Sequence, residues 1–462
     1  MDLSRLVIAS NRGPVSWVRS EDGGLEARRG AGGLVASLGP LVRNTGATWI
    51  AAPMGDADRQ AAGGGRPVDA EGFRFRALDL DPATYRMAYE VIANSTLWFL
   101  HHHLWDLPRR PRFDRRWRQA WEGYRLYNEA FARALADEAP GDSVVLVQDY
   151  HLSLVAPTLA SKRPDLRLVH FHHTPFCSPA WLEVLPSGIA QELMAGMSAF
   201  DACGFHSPRW EAAFRACCDA LLPGAPPTFV APLPPAVDNL TEVAASAACA
   251  TEGRKLDELV GTRRLIVRVD RMEPSKNILR GFLAYDELLD QRPELREQVL
   301  FAAFCYPSRE GLADYVAYHS EVDSVVEAVN ARWAVPGWTP ILLHSADNFA
   351  RSVAALQRYD ALLVNPVRDG MNLVALEGPV VNANDGVVVL SRQAGAWDQL
   401  GGHGAIGADP FDVSGTAEAL GAALDLGRED RCRMAQRAAG VARARPLSTW
   451  LAEQLAAVGE TL

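Results

Sequence analysis

Short apolar runs recur along this chain, and polar or glycine-rich residues follow each of them at once. Residues 6–10 (LVIAS), 144–147 (VVLV), 168–173 (LVHFHH) and 201–206 (DACGFH) show the pattern in the first half. Residues 264–269, 299–304, 341–343, 361–364 and 387–390 repeat it in the second. Continuous apolar runs of this length, bounded by turn signals, predict strands buried on both faces of a parallel sheet. Between them lie amphipathic stretches at helical spacing, 278–289 and 313–333, and Ala-rich helical sequence runs from 396 to the end. Strands alternating with helices predict an α/β fold with doubly wound, Rossmann-like parallel sheets.

At 462 residues the chain exceeds what one core usually serves, so two domains are expected. Six prolines fall within 221–238. The end of that stretch, with 239–261, reads as the passage between the domains. The expected division is 1–238, 239–445 and a last helix at 446–462 that is free to pack back on the first domain. Residues 55–72, rich in Gly, Ala and Asp, read as an exposed loop with 387–390 as the last strand further on.

The polar tips of the strands carry the candidate chemistry. Arg12 follows the first strand and is placed to point into a cleft. Gly33 belongs to a Gly-rich turn, AGGLVASL, that enters a helix. Tyr89 and Trp98 stand in a segment dense in aromatics that continues into His101-His102-His103. Three successive His cannot face one way, which argues against a metal site there. The segment reads equally as a wall of rings against a sugar or as an aromatic core helix. Asp149 ends one strand and His173 another.

In the second half Arg271 and Lys276 share the loop RMEPSK. Taken alone the pair reads first as solvated loop charges; the other reading is a clamp on a diphosphate, the Arg by its planar fork and the Lys as a point charge. The apolar run 361–364 leads into NPVRDGMNLVALE at 365–377. Here Asp369-Gly370-Met371-Asn372 turns the chain and Leu373 opens a helix. Backbone N–H groups at such a helix start lack intrahelical partners and favour an anion. Asp369 and Glu377 read as contacts to a polar ligand above the sheet or, equally, as a capping Asp and a solvated Glu.

Composition narrows the partners. The chain is 48% hydrophobic and 22% charged, with 46 basic and 56 acidic residues and a net charge of −10. That balance opposes non-specific binding to nucleic acid or to an anionic membrane. Any phosphate must be held by local cations and helix termini. Seven Cys without a CxxC predict reduced thiols. No apolar run has signal-peptide or transmembrane character, so a cytoplasmic protein is expected.

Taken together, the segments resemble glycosyltransferase family twenty, the trehalose-6-phosphate synthases of GT-B fold. The resemblance is carried by IASNRGPV (8–15), AGGLVASL (31–38), Tyr89 with the LW at 97–98, QDYHLSLVAP (148–157), HHTPFCSP (172–179), GFHS (204–207), VDRMEPSKNI (269–278), YPSRE (306–310), NPVRDGMNLVALE (365–377) and VLSRQAGA (389–396). It implies two facing Rossmann-like domains with ligands between them. It also implies transfer, with retention, of glucose from a nucleoside-diphosphate glucose to glucose 6-phosphate, without a metal or other cofactor.

By resemblance Arg12, Tyr89, Trp98 and Arg309 surround the acceptor phosphate, and Asp149 contacts the acceptor sugar. His173 lies near the anomeric centre and Gly33 near the donor phosphate. Arg271 and Lys276 neutralise the leaving diphosphate, Asp369 hydrogen-bonds the donor sugar hydroxyls, Gly370, Met371 and Asn372 also bind the donor, and the Leu373 backbone and Glu377 meet the nucleotide phosphate and ribose. Asp149, His173, Arg271, Lys276 and Asp369 are then the catalytic set. A homodimer or homotetramer is implied.

Departures are also visible. Gln148 replaces a usual His, Cys177 a common Pro and Leu376 a Lys, and RMEPSKN stands for RLDYSKG. Pseudo-sugar transferases with GDP donors share the Lys-Asn pair, which inclines the expectation to GDP-glucose over UDP-glucose. The alternatives are a pseudo-glycosyltransferase, a glucosylglycerol-phosphate synthase, or a catalytically silent sugar-phosphate-binding regulator.

Overall fold

In the first half of the chain the apolar runs become β1 (Leu6–Ser10), β7 (Val144–Gln148), β8 (Arg167–His172) and β9 (Ala202–Phe205), numbered with the further strands β2 (Val15–Arg19), β3 (Leu25–Arg29), β4 (Thr48–Ala51), β5 (Val68–Ala70), β6 (Phe73–Ala77) and β10 (Thr228–Val230). The structure is a computed structural model that describes residues 2–20, 24–29, 33–61, 65–402 and 404–462. Ala31 and Gly32 of the AGGLVASL segment and residues 62–64 of the glycine-rich stretch lie outside the described residues.

The chain divides into two units, Met1–Leu233 with Leu447–Leu462, and Pro234–Pro446. The first unit holds an eight-stranded sheet in the order β10-β9-β8-β7-β1-β4-β6-β5, with β5 antiparallel at its edge. β1 and β7 are buried along their whole length because helices cover both faces. One cover is the Arg115–Glu138 helix. It starts on an Asp114 cap that accepts the Trp117 N–H at 2.9 Å, and it buries Trp117, Trp121, Tyr124, Tyr127 and Phe131 on one stripe. The Leu447–Ala456 helix packs on β8 and on the Gly33–Val42 helix. Trp450, Leu451, Gln454 and Leu455 are its buried face.

The second unit holds β11 (Arg264–Arg271), β12 (Val299–Tyr306), β13 (Ile341–His344), β14 (Ala361–Val364), β15 (Val387–Ser391) and β16 (Ala405–Ala408). They form one parallel sheet in the order β13-β12-β11-β14-β15-β16. Along β11, Leu265, Val267 and Val269 enter one core layer and Ile266 the other. That explains why the strand reads as a nearly unbroken apolar run.

In each sheet the chain begins in the middle, winds outward, and returns to pair on the other side of the first strand. The turning point lies between β1 and β7 in the first sheet and between β11 and β14 in the second. Loops diverge there at the strands' carboxyl ends, which opens a crevice for ligands.

Several sequence expectations need correction. Residues 55–72 carry a short helix, Asp56–Ala61, and β5. Asp58 is buried and accepts the N–H groups of Trp17, Met54 and Gly55, so its charge is structural. Residues 239–261 are not a linker. The Val237–Ala244 and Ala247–Val260 helices bury Leu240, Cys249, Leu256 and Val260 in the second unit's core. The change of unit falls at Leu233, before the position drawn at 238. β15 is not the last strand, because the short Ala-Ile-Gly-Ala of β16 follows it with too little apolar signal to be read. Among the described residues no helix is long and apolar enough to cross a membrane.

Candidate active site

In the first unit the β1 tip is tied back so that one side chain stays unused. Ser10 Oγ donates to Arg12 O at 2.6 Å and accepts from Trp49 Nε1 at 2.7 Å. Asn11 Oδ1 accepts from the Tyr127 hydroxyl at 2.7 Å. Arg12 is exposed, and its guanidinium makes no hydrogen bond or ion pair among the described residues. It lines a cavity of about 280 Å³ with Gly13, Trp17, Met54 and Phe75. A guanidinium without a counterion beside a cavity suits an anion.

The aromatic segment folds as a π-helix, Met87–Leu97, followed by an α-helix, Trp98–His102. π-Turns widen a helix and are frequent at functional sites. The three His go three ways. His101 packs edge-on against His172 at 4.7 Å, His102 stacks on Trp98 at 4.0 Å, and His103 stacks on Trp181 at 4.2 Å. Most of the segment is therefore core, and Trp98 itself is buried. Tyr89 is the half-buried ring at its edge, stacked between Tyr85 at 5.3 Å and His151 at 5.9 Å.

Asp149 has φ 73° and ψ 167°, a backbone region normally left to glycine. Three hydrogen bonds hold it there. Its N–H donates to Phe171 O at 2.8 Å, its carbonyl accepts from Leu152 N–H at 3.1 Å, and its Oδ1 accepts from His173 N–H at 3.1 Å. Strain of this kind persists where function needs the geometry. Asp149 and His173 are thus directly bonded, and Tyr89 joins them through the His151 ring. Gly33 begins the Gly33–Val42 helix and is exposed, and among the described residues it makes no hydrogen bond to that group.

Both His173 ring nitrogens are already committed. Nε2 meets Gln148 Oε1 at 2.8 Å and Nδ1 meets His206 Nε2 at 3.2 Å. Burial and then the neighbouring His206 lower the His173 pKa well below the usual range, and burial brings His206 down to about 3. Both are neutral at physiological pH. His173 therefore serves by position, and proton transfer through its ring has no free nitrogen to use.

In the second unit β11 continues to Arg271, two residues beyond the predicted strand, so Asp270 and Arg271 are held by the sheet. Lys276 Nζ lies 2.6 Å from Asp369 Oδ2, which also accepts from Asn372 Nδ2 at 3.1 Å. Burial would lower the Lys276 pKa, but Asp369 and Asp270 raise it. The Asp369 loop is held against the 391–396 loop. Asp369 N–H donates to Gln393 O, Gly395 N–H to Asp369 O, and Ala396 N–H to Met371 O at 2.8 Å. A Cβ on Gly395 would lie 2.0 Å from Gly370 O, so only glycine fits there. Asp369 is therefore an ion-paired residue of the site and not a helix cap.

The Val374–Val381 helix has no side-chain cap at Leu373, which leaves N–H donors and the positive end of the helix dipole for an anion. Glu377, in its first turn, is only partly exposed and its carboxylate has no hydrogen-bond or ion-pair partner among the described residues. Burial pushes its pKa up to about 7. It is not the solvated helix Glu of the alternative reading.

Glu273 was missed in the sequence. It is fully buried, 2.9 Å from Arg271 Nη1 and 3.8 Å from Arg309 Nη1, and it accepts from Ser308 Oγ at 2.9 Å. Burial alone would raise its pKa, yet Arg271, Arg309 and Lys276 hold it down to about 2. One carboxylate therefore aims two cations assigned to different substrates. The signal was an acidic residue between the two cations of RMEPSK. Arg309 has φ 51° and donates to the Tyr315 hydroxyl. It belongs to the second unit, whereas Arg12, Tyr89 and Trp98 belong to the first. Arg268 was also unread. This buried cation pairs with Asp270 at 2.8 Å and donates to Lys276 O and Asn365 Oδ1 at 2.7 and 2.5 Å, which braces the loop from below.

The Lys276-Asn277 pair carries no base-reading group. Asn277 is buried with φ 58°. Its Nδ2 donates to Asn365 O at 3.0 Å and Pro410 O at 2.6 Å, and its Oδ1 accepts from Arg280. Asn stands for the family's Gly because both tolerate a left-handed backbone. The guanosine inclination drawn by resemblance from that pair therefore finds no support in Asn277.

A family model described as glycosyltransferase family 20 matches residues 4–459. The trehalose-6-phosphate synthase of Mycolicibacterium smegmatis is 29% identical, covering 99% of this chain and 93% of its own. That of Mycolicibacterium vanbaalenii is 31% identical, covering 92% and 89%. Among solved structures, an alpha,alpha-trehalose-phosphate synthase (UDP-forming) from Burkholderia xenovorans in complex with glucose-6-phosphate superposes with a TM-score of 0.83 at 27% identity, covering 96% of this chain and 98% of that one.

Proposed function

We propose that this chain, which belongs to glycosyltransferase family 20, joins glucose from a nucleoside-diphosphate glucose to glucose 6-phosphate with retention, giving trehalose 6-phosphate. The observation that carries the reading is the donor half-site: Lys276 paired with Asp369, Arg271 in the same loop, and an uncapped helix start at Leu373 that leads to an unpartnered Glu377. Breaking the bond from the anomeric carbon to the diphosphate leaves negative charge on the phosphate. Fixed cations and backbone N–H groups stabilise that charge as it develops.

Lys276, paired with Asp369 at 2.6 Å, is placed between the departing phosphate and the sugar hydroxyls that Asp369 receives. Glu377 takes the ribose hydroxyls. In the first unit Arg12 meets the acceptor phosphate and Asp149 orients the acceptor sugar. The acceptor oxygen attacks the anomeric carbon on the face the diphosphate leaves, and its proton passes to the leaving phosphate oxygen. No side chain is asked to be a nucleophile. The cations do the work a metal would otherwise do, and EDTA is expected to leave the rate unchanged.

UDP-glucose is the donor we favour, because relatives are named UDP-forming and Asn277 gives guanosine no support. The test is release of UDP, GDP or ADP from the three glucose donors with and without glucose 6-phosphate. Acceptor-dependent UDP release supports the reading. GDP release reinstates the guanosine donor, and release only with a polyol phosphate or amino-cyclitol phosphate acceptor moves the chain to the alternative transferases. No release with any pair overturns the transferase reading.

A further inference from the structure

A buried polar chain in the first unit runs in one direction only. It starts at the Leu233 backbone N–H, which donates to His206 Nδ1 at 3.3 Å. A backbone amide can only donate, so the His206 proton sits on Nε2 and points to His173 Nδ1, 3.2 Å away. The His173 proton is then on Nε2 and is given to Gln148 Oε1 at 2.8 Å. This orients the Gln148 amide, whose Nε2 donates to Gln454 Oε1 at 3.3 Å. Gln454 Nε2 closes the chain on Trp450 O, 3.4 Å away in its own helix. Gln148 and Gln454 are both fully buried. Amides are tolerated in such surroundings when their polar atoms are paired.

An imidazole between His173 and Gln454 would offer one acceptor face and one donor face. The Gln148 amide offers the same two faces without a group that titrates. The C-terminal helix supplies the end of the chain, and the Trp450 ring lies 5.8 Å from the His173 ring. We propose that Gln454, acting through Gln148, is a positioning residue for His173: its oxygen keeps Gln148 Oε1 turned to the His173 Nε2–H, which steadies the ring and with it the His173 backbone N–H on Asp149 Oδ1. Without the Gln454 oxygen the Gln148 NH₂ is buried without an acceptor. Gln148 then shifts to find one, its Oε1 leaves the His173 Nε2–H, and the segment that holds Asp149 in its strained backbone loses support. The bonding stands by itself, and the effect on rate rests on the transferase reading.

The test compares Gln454→Met, which keeps length but has no acceptor oxygen, with Gln454→Glu, which keeps one. Gln454→Met is expected to lower kcat between about ten- and a hundredfold, the range typical of a slightly misplaced group, with both KM values little changed. Gln454→Glu is expected to restore most of the rate. ¹⁵N spectra of histidine-labelled protein, with His173 assigned by substitution, should show an Nε2–H tautomer in the wild type, and in Gln454→Met the same tautomer with its Nε2 resonance shifted by the lost Gln148 acceptor. A wild-type kcat in Gln454→Met, equal losses in both variants, or an Nδ1–H tautomer of His173 in the wild type overturns the proposal. A wild type that transfers nothing to any acceptor overturns the transferase reading, while the tautomer still decides the amide pair.

Discussion

On the proposed role of Glu377 as the donor's ribose contact, donor binding is expected to depend on pH. Its pKa is pushed up to about 7 by burial, from an ordinary 4.5. Ribose hydroxyls donate hydrogen bonds, so they favour the ionised carboxylate. If only that form binds, the apparent donor KM scales with one plus the ratio of protonated to ionised Glu377. That factor is about 11 at pH 6 and about 1.1 at pH 8, a tenfold change. At the ordinary value the change would be only a few per cent.

The stability sign follows the same shift. A folded-state pKa above the unfolded one contributes stability that is complete below pH 4.5 and is lost as pH rises through about 7. The ligand-free chain should therefore lose up to about 3 kcal/mol across that window, less what solvent screens at a partly exposed side chain. The assay is donor KM from pH 5.5 to 8.5 at saturating acceptor, because the acceptor's own phosphate titrates near pH 6. Glu377→Gln should show a pH-independent KM, higher than the wild type at pH 8. A flat wild-type KM between pH 6 and 8, or the same slope in Glu377→Gln, would refute the reasoning.

Glu273→Gln leaves Arg271 and Arg309 facing each other without their carboxylate. Because the Glu273 pKa is held down to about 2, its contribution is present above pH 4.5 and disappears as pH falls through about 2. At pH 7 the loss should be about 1–2 kcal/mol in urea unfolding, discounted for the half-exposed Arg271, with a higher donor KM. Asp149→Gly relieves about 1–3 kcal/mol of backbone strain. Its melting temperature should match or exceed the wild type while kcat collapses; a less stable, active variant would contradict the strain argument. Asn277→Gly keeps the left-handed backbone but loses buried amide bonds of about 1 kcal/mol each. The ratio of UDP-glucose to GDP-glucose rates should stay unchanged, and a shift in that ratio would restore Asn277 as a base-reading residue.

The legible parts share one physical cause. A parallel strand covered on both faces must be apolar along its length, so runs such as Ala361–Val364 announce themselves. The abrupt polar tip after each run marks the carboxyl end of the strand, where Arg12, Asp149, Asp369 and their neighbours stand. The weak elements were illegible for the complementary reason. β16 and the Asp56–Ala61 helix have small or polar residues whose burial depends on distant packing.

What local order in the chain decided was therefore the α/β class, the two series of strands, the cationic loop with Arg271 and Lys276, and the family whose motifs the chain carries. Only the folded chain decided which charges face one another. Glu273 lies between Arg271 and Arg309, which are 38 positions apart in sequence. Gln454 reaches Gln148 across 306 positions, and Asn277, Arg268 and Asp58 are spent on structure. Sequence spacing carries the pitch of a helix or the pleat of a strand. It does not carry which residues of separate elements meet, because that depends on sheet order, on burial and on the bonds that burial forces polar groups to find.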